Sequence, residues 1–342
     1  MTSPPHPSMS LQEASAYIKN RKRLDNEGAC YEFCLDGECG SMVMTRLFPG
    51  VRLAVNDFRM HRIPADRARA RDGLLINCCL EGRCRVDLGN GRLVFLEANE
   101  VSVDTQHARD FFLSPTGRYL GVEIFMDFTT LRREFPQFFT DLAIDPFALR
   151  ERLCTGPYNF VERTPPAAVP VLARIAACPE APLSDLRLLL ACCLKEFEAL
   201  GTGEVETPKT WLTSQQTKIA QAVEMTLRED LARHVSIGPI ARDFGVSESS
   251  LRDYFKGMYG ESPAAYLRRL RVERASSLLV DTDETVGAIA LMVGYENQSK
   301  FAAVFKAATR LSPLEYRRRH RLDNKVAPVP FVSWDVEMKE GA

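Results

Sequence analysis

The sequence lacks the residue patterns that common metal sites and membrane helices require. Its 342 residues include ten cysteines without a Cys-x-x-Cys pair, and five histidines without a His-x-His pair. The usual zinc spacings and the paired histidines of an iron oxygenase are therefore missing. The longest nearly continuous apolar stretch, residues 188–194, is far shorter than the roughly 20 residues that a membrane-spanning helix needs.

Catalytic motifs are also missing. The chain has no nucleophile elbow, no phosphate-binding loop and no metalloprotease helix. Residues 1–20 lack the basic region followed by an apolar one that marks a secretory signal. These absences predict a cytoplasmic protein that is not an enzyme, binds no metal or other cofactor and does not associate with a membrane.

Charge is distributed unevenly along a chain long enough for two domains. Residues 215–321 hold 17 Lys and Arg against 13 Asp and Glu, a net charge of +4, and the remainder holds 27 against 32, a net charge of −5. A nucleic-acid partner is therefore expected to bind the C-terminal third.

One pattern occurs twice in this third, about fifty residues apart. The matching pairs are Ile240 and Ile289, Ala241 and Ala290, Gly245 and Gly294, Phe255 and Phe305, Lys256 and Lys306, Ser262 and Ser312, Pro263 and Pro313, and Tyr266 and Tyr316. The offset is 49 up to the glycines and 50 after them, so the second copy gains one residue in its turn. This is an internal repeat of one structural unit.

Local rules predict a helix-turn-helix motif in each copy, over residues 236–258 and 285–308. Ser236 and Thr285 are expected to cap the first helices, and Ser247 and Asn297 the second ones. The glycines end the first helices in a left-handed conformation. A helix of about 17 residues, opened by Ser262-Pro263, joins the motifs and spans roughly 25 Å at 1.5 Å per residue, close to the approximately 34 Å repeat of B-DNA.

Each second helix has one apolar face, which leaves the opposite face for a partner. A short helix of this kind fits the major groove, which is about 12 Å wide. We expect DNA contacts from Ser249, Arg252, Asp253, Lys256, Asn297, Gln298, Ser299, Lys300, Ala302, Ala303, Lys306 and Arg318. Further arginines are expected to face phosphates or solvent: Arg268, Arg269, Arg271, Arg274, Arg317, Arg319 and Arg321. Asp253 has two interpretations, an acceptor from cytosine or an intrahelical partner of Arg252 or Lys256.

These positions, in this order, resemble the DNA-binding domain of the AraC/XylS transcription regulators over roughly residues 216–321. The repeated positions carry the resemblance, together with Val246-Ser247, Leu251, Gly260, Arg271, Ala275, Leu278-Leu279, Val293, Tyr295, Ser299, Phe301 and Arg317. The resemblance implies a seven-helix domain that binds promoter DNA and usually activates transcription with RNA polymerase. Ala302 and Ala303 stand where many relatives have longer polar side chains, so the first motif is expected to dominate specificity.

The preceding residues indicate an all-β barrel or sandwich. Short β-branched and aromatic runs fill residues 43–48, 53–60, 74–80, 83–88, 93–96, 101–104 and 119–126. Asn90-Gly91 is the best hairpin turn. In the resembled family this region is a cupin-like effector domain.

The overall expectation is an α+β chain. An N-terminal effector and dimerisation domain covers residues 1–200, with a cupin-like barrel at about 43–126 and flanking helices at 128–135, 138–144, 167–178 and 184–200. A linker at 201–213, an all-α seven-helix DNA-binding domain at 214–321 and a tail at 322–342 follow. Ser184-Asp185 is expected to cap the last flanking helix, which either forms a homodimer contact or covers the barrel.

A small-molecule effector of unknown identity is the first interpretation of the N-terminal domain. Its candidate ligands are Arg52, Arg59, Arg62, Asn77, Arg85, His107 and Arg109. In the alternatives, the domain senses a protein partner, or the cysteines sense thiol or metal stress, with Cys30, Cys34 and Cys39 as the first cluster. Cytosolic cysteines more often behave as small buried hydrophobes.

Overall fold

The computed structural model describes residues 18–64, 72–89, 92–105, 111–154, 160–201, 211–233 and 236–322. The chain divides into two compact units, Met1–Ser214 and Gln215–Ala342. Within the described ranges, no helix has the length and apolar character needed to cross a bilayer.

The first unit is rich in antiparallel strands. They are β1 (Ile18–Arg23), β2 (Ala29–Leu35), β3 (Glu38–Phe48), β4 (Val51–Arg59), β5 (Arg62–Pro64), β6 (Gly73–Gly82), β7 (Cys84–Gly89), β8 (Arg92–Leu96), β9 (Glu100–Asp104), β10 (Phe111–Leu113), β11 (Tyr119–Asp127), β12 (Phe160–Arg163) and β13 (Leu212–Thr213). Eight of them form one sheet in the order β1-β2-β3-β4-β11-β6-β9-β12. A second sheet has the order β13-β8-β7, and β5 pairs with β10.

Five helices accompany these strands in the described part of the unit. They are α1 (Phe128–Leu131), α2 (Gln137–Asp141), α3 (Pro146–Leu153), α4 (Ala168–Ala177) and α5 (Leu183–Glu196), and a 3-10 turn follows at Phe197–Ala199. α4 and α5 bury Leu172, Ile175 and Leu190 in one core with Leu53 and Ile124 of the large sheet. Because side chains alternate along a strand, the neighbouring residues lie on the opposite face. A second core there joins Phe58 and Tyr119 to Val86 and Val94 of the smaller sheet.

Every strand predicted between residues 43 and 126 is present, with ends that differ by a few residues. β7 and β8 pair antiparallel as expected of a hairpin, whereas Asn90-Gly91 lies outside the described residues. The predicted cap of α5 is wrong. α5 begins at Leu183 after Pro182, and the Ser184 hydroxyl donates to the Asp185 carboxylate instead. The last two residues of the predicted linker, Leu212 and Thr213, form β13 and pair with β8.

The second unit is all-helical in its described residues, and it has the expected seven helices. They are α6 (Ser214–Glu229), α7 (Gly238–Asp243), α8 (Glu248–Tyr259), α9 (Pro263–Asp281), α10 (Val286–Met292), α11 (Gln298–Thr309) and α12 (Pro313–Leu322). α9 joins the two halves and contains 19 residues, which corresponds to roughly 28 Å of helix. The chain is thus a sheet-rich α+β unit followed by an all-α unit.

The repeat in the sequence is also a repeat in the packing. Phe255 of α8 meets Tyr266 of α9 edge to face, with ring centroids 5.3 Å apart and an interplanar angle of 85°. The equivalent rings of Phe305 and Tyr316 also have centroids 5.3 Å apart, with an angle of 89°. Both phenylalanines are fully buried. Each second helix is therefore fixed in the same way against the helix that follows it.

Gly294→Ala is expected to destabilise this unit more than Gly245→Ala. Both glycines end a first helix, with φ of +82° and +65°, and an L-residue in that conformation costs about 1–2 kcal/mol. A methyl group added at Gly294 would also lie 2.7 Å from the Ala232 carbonyl oxygen, whereas one at Gly245 would meet nothing within 4 Å. That clash adds about 1–3 kcal/mol. Urea midpoints of the two variants measure the difference, and equal losses would contradict it.

Candidate nucleic-acid interface

The first motif consists of α7, a turn and α8. The backbone N–H of Gly245 donates to the Arg242 carbonyl at 3.0 Å, and that of Val246 donates to the Ala241 carbonyl at 2.9 Å, which closes α7. Ser247 then caps α8, because its hydroxyl accepts from the Ser250 N–H at 3.0 Å. These predictions are confirmed, but the cap of α7 is not. Ile237 occupies the cap position without a side-chain hydrogen bond, and the Ser236 hydroxyl accepts from the Gly238 N–H at 3.4 Å.

The second motif, α10 to α11, repeats this geometry. Gly294 donates to the Leu291 carbonyl at 3.0 Å, and Tyr295 donates to the Ala290 carbonyl at 2.8 Å. Thr285 caps α10 by accepting from Ala288 at 3.1 Å, and Asn297 caps α11 by accepting from Lys300 at 2.9 Å. Both caps are as predicted. The side-chain oxygens thus satisfy amide groups that a helix leaves free at its start.

The predicted reading face of α8 is exposed. Ser249, Arg252, Asp253 and Lys256 all reach solvent, while Leu251 and Phe255 fill the core. Arg252 has a partner that the sequence reading missed, since its Nη2 lies 2.7 Å from Oε2 of Glu248. This i, i+4 spacing was visible in the sequence. The other Glu248 oxygen lies against α7, where a methyl group added at Gly238 would be 2.9 Å from it.

The predicted contact residues of α11 are arranged similarly. Asn297, Gln298, Ser299, Lys300, Ala303 and Lys306 are exposed, and Ala302 is half-buried. The Gln298 amide oxygen rests against α10, 2.9 Å from the position of a methyl group added at Gly287. Gln298 and Glu248 therefore occupy equivalent positions. The Glu–Arg pair of the first motif is replaced by glutamine and alanine in the second, so the exposed surfaces of α8 and α11 differ in charge.

Four of the arginines expected to face phosphates or solvent are engaged within the protein instead. Arg271 donates to the carbonyls of Leu231 at 2.7 Å and Arg233 at 3.3 Å. Arg317 donates to the carbonyls of Leu279 at 3.0 Å and Glu284 at 2.5 Å. These bonds satisfy carbonyl groups at helix ends and loops. Arg268, Arg274, Arg318 and Arg319 are exposed.

The remaining two of the four form ion pairs. Arg269 lies 2.9 Å from Glu261 and 2.8 Å from Glu273, and its guanidinium stacks on the Tyr266 ring at 4.7 Å. Arg321 lies 2.7 Å from Asp283 and donates to the carbonyls of Thr282 and Val280. The neighbouring carboxylates and carbonyl oxygens partly neutralise the positive charge of Arg269 and Arg321. Both are therefore poor phosphate ligands.

Arg317→Ala and Arg318→Ala are expected to separate these two roles. Loss of Arg317 leaves two carbonyl acceptors without their charged donor, and we expect a loss of about 1–3 kcal/mol in the free energy of unfolding. Loss of Arg318 is expected to leave stability within about 0.5 kcal/mol of the parent and to weaken duplex binding equally for all sequences. Urea unfolding and duplex titrations at several salt concentrations measure both effects. A larger stability loss for Arg318→Ala than for Arg317→Ala would contradict the assignment.

The candidate ligand residues of the first unit are not brought together in its described part. Arg52, Arg59 and Arg62 are exposed. The Arg52 guanidinium lies over the Phe125 ring at 5.9 Å. Arg59 lines a shallow groove of about 340 Å³ together with Lys19, Glu32 and Asp57. His107 and Arg109 lie outside the described residues.

Asn77 and Arg85 lie deeper. Arg85 is half-buried, and Asn77 is buried, with its Oδ1 accepting from the Tyr119 hydroxyl at 2.5 Å. The same face holds Glu123 and Asn56, both buried, which the sequence reading missed. An acidic residue inside the apolar run Tyr119–Met126 was the available signal, because a carboxyl group seldom enters a core without a role.

Four of the ten cysteines are buried thiols, two form a disulfide, and Cys30, Cys154, Cys178 and Cys192 are half-buried or exposed. Cys78, Cys79, Cys84 and Cys193 are buried, and burial raises the pKa of Cys193 to about 12. Such thiols stay protonated and unreactive. Cys34 and Cys39 are different, because they face each other across β2 and β3 and form a disulfide. Within the described ranges, no three His, Cys, Asp or Glu side chains are grouped to hold a metal ion.

The family match to known proteins falls on the second unit. A family model described as a helix-turn-helix domain matches residues 240–319. A putative AraC-like transcription regulator of Streptomyces lividans is 32% identical over 108 residues, which cover 32% of this chain and 36% of that protein. The HTH-type transcriptional activator RhaR of Pectobacterium carotovorum subsp. carotovorum is 37% identical over 93 residues, covering 27% of this chain and 33% of that protein.

A solved structure is similar to a part of the chain. The probable AraC family transcriptional regulator from Rhodopseudomonas palustris CGA009 is 29% identical, covers 30% of this chain and 98% of its own, and has a TM-score of 0.28. This chain spans about a third of the length of the curated relatives it matches.

The matched residues contain both motifs and the helix between them, so the second unit is a double helix-turn-helix domain. That domain is similar to a part of the AraC-like transcription regulators named above.

Proposed function

We propose that the chain is a sequence-specific regulator of transcription that binds double-stranded promoter DNA through both motifs. The observation that carries this proposal is the twofold occurrence of one exposed polar helix surface, on α8 and α11, each fixed by the same cap and the same buried phenylalanine. A helix presented in this way fits the major groove. The net positive charge of residues 215–321 favours the phosphate backbone.

The first motif contributes most of the sequence preference in this proposal. Arg252 is exposed and can make a bidentate contact with guanine, and Gln298 can do the same with adenine. Ala302 and Ala303 offer only methyl groups, which suit the methyl group of thymine. α11 then acts partly as an anchor on the backbone, with Lys300 and Lys306 exposed for phosphates.

Activation with RNA polymerase is the sign of regulation that the relatives' names favour. RhaR is described as a transcriptional activator, and a Staphylococcus xylosus relative that is 30% identical over 107 residues is described as a lactose operon transcription activator. A regulator of this kind is located in the cytoplasm, where its promoter DNA is.

The N-terminal unit is proposed to be a cupin-like domain that binds a small-molecule effector and assembles the chain into a homodimer. α5 supports the dimer, because Leu188 is 58% exposed on a helix whose Leu186 and Leu190 are buried. Sedimentation equilibrium of the full chain measures whether this dimer forms. An effector regulates only if it binds two arrangements of the protein unequally.

A thiol-responsive N-terminal unit is the alternative that a specific observation favours, namely the Cys34–Cys39 disulfide. Substitution of Cys30, Cys34 and Cys39 by serine tests this alternative. Unchanged regulation under metal and oxidant stress would exclude this alternative.

Selection from a random pool of duplexes tests the proposed function. Enrichment of one DNA sequence with two half-sites supports it. A matched selection with the double variant Arg252→Ala, Gln298→Ala is expected to lose this sequence preference but to retain salt-sensitive binding. The selected duplex placed upstream of a promoter then measures activation with purified RNA polymerase. A pool without enrichment would refute sequence-specific binding.

A further inference from the structure

A buried carboxyl group lies on the face of the large sheet that points away from α4 and α5. Glu123 of β11 is 9% exposed, and its strand neighbours Val122 and Ile124 point to the helix-covered core on the other face. In the sheet register, Glu123 is opposite Ala54 on β4 and opposite Asn77 on β6. The carboxyl group therefore belongs to the interior between the large sheet and the smaller one.

Polar side chains surround this group on adjacent strands. Asn56 is 2% exposed and forms a side-chain hydrogen bond with Glu123, but within the described residues its Oδ1 atom has no partner. Both polar atoms of Asn77 have a partner, because its Oδ1 accepts from the Tyr119 hydroxyl at 2.5 Å and its Nδ2 donates to the Cys84 sulfur at 3.7 Å. Buried polar groups are normally satisfied. Among the described residues, the Asn56 Oδ1 atom next to Glu123 thus lacks a hydrogen-bond donor.

The charge at this position points to the same kind of group. Burial raises the pKa of Glu123 to about 7, and its hydrogen bond with Asn56 works in the opposite direction. The basic side chains of the neighbouring row on this face, Arg46 and Arg52, are exposed and are opposite each other across β3 and β4. A buried carboxylate is stable only when a cation or several donors accompany it. A ligand that brings a positive charge and donors would supply both.

We propose that Glu123 and Asn56 form the recognition site for a small molecule with a protonated amino group, bound in the interior of the N-terminal unit. This inference rests on the proposed effector role of that unit and specifies the chemical class of the effector. An ammonium group carries three donors and no acceptor. One N–H binds the Glu123 carboxylate, and another binds the free Oδ1 of Asn56. A carboxylate ligand would meet like charge, and an alcohol would satisfy Asn56 without neutralising Glu123.

The test uses three probes with the same four-carbon chain, n-butylamine, n-butanol and butyrate, added to the full chain. The shift of the thermal midpoint with probe concentration gives each affinity. n-Butylamine is expected to bind at least about tenfold more tightly than n-butanol, since hydrogen bonds to charged groups are the stronger ones. Butyrate is expected to give no shift. Equal binding of the amine and the alcohol, or binding of butyrate alone, would overturn the proposal.

Two matched substitutions locate the amine site. Glu123→Gln keeps the shape of the side chain and removes the charge, so we expect at least about tenfold weaker amine binding. Glu134→Gln makes the same change at an exposed glutamate and is expected to change nothing. If Glu123→Gln does not fold, Asn56→Leu replaces it and is expected to weaken amine binding, because the ammonium group loses one of its two acceptors. An amine affinity that survives whichever of these two variants folds would overturn the proposal.

Duplex binding without any probe, measured on the same preparations, separates this inference from the proposed function. Amine binding that depends on Glu123 supports the site even in a protein that fails to select a duplex. A protein that selects its duplex but does not bind the amine overturns the site and leaves the regulator standing.

Discussion

Arg252→Ala is expected to weaken binding to the selected duplex by about 1–3 kcal/mol and to abolish the preference at one base pair. At 298 K this loss corresponds to a factor of roughly 5 to 150 in Kd. The physical reason is the position of the guanidinium. It is exposed on α8 and held by Glu248 at 2.7 Å, so it meets the DNA already oriented. Titrations with the selected duplex and with single-base variants measure both effects.

Lys306→Ala is the matched control for Arg252→Ala. Lys306 is exposed on α11, and a lysine that contacts only phosphate carries no sequence information. Its removal should weaken binding to all duplexes equally and reduce the salt dependence of that binding by about one counterion. If Arg252→Ala also weakened every duplex to the same degree, Arg252 would be a phosphate contact and the reading surface would lie elsewhere.

Phe305→Ala is expected to cost about 3–5 kcal/mol of the free energy of unfolding in the second motif. Phe305 is fully buried, its ring packs against Phe301 with centroids 5.6 Å apart, and it meets Tyr316 edge to face. A small domain has only about 5–15 kcal/mol of stability in total, so this loss releases α11 from α10 and α12 for a measurable fraction of the time. Hydrogen exchange of the α10 and α11 amides in the full chain measures it.

Leu291→Ala provides the comparison for Phe305→Ala, because Leu291 lies in the same motif but is 62% exposed. A change within about 0.5 kcal/mol is expected at such a position. If both variants accelerated exchange equally, the buried phenylalanine would not fix the recognition helix.

The features that sequence reasoning predicted correctly are those set by neighbouring residues. Ser247, Thr285 and Asn297 cap their helices because a side-chain oxygen at that position reaches an amide three residues ahead. The repeat needed only the spacing of apolar residues and two glycines. Seven strands between residues 43 and 126 followed from β-branched runs, although β1, β2, β5, β10, β12 and β13 were missed.

The features that it missed depend on residues far apart in the chain. Arg271 bonds carbonyls about forty residues away, and nothing near Arg271 or Arg317 distinguishes them from Arg318, which is exposed. Glu123 and Asn56 meet only through the register of β4 and β11. Ser184 was predicted as a cap from its residue type, but Pro182 begins that turn and the helix starts one residue earlier.

Hydroxyl-radical footprinting of the full chain on its selected duplex tests the central claim most directly. If α8 and α11 both enter the major groove, two protected segments are expected on one face of the DNA, with centres about 10 base pairs apart. Arg252→Ala should weaken protection of the first segment before that of the second. Protection of a single segment, unchanged by substitutions on α11, would contradict the account and leave the second motif with a purely structural role.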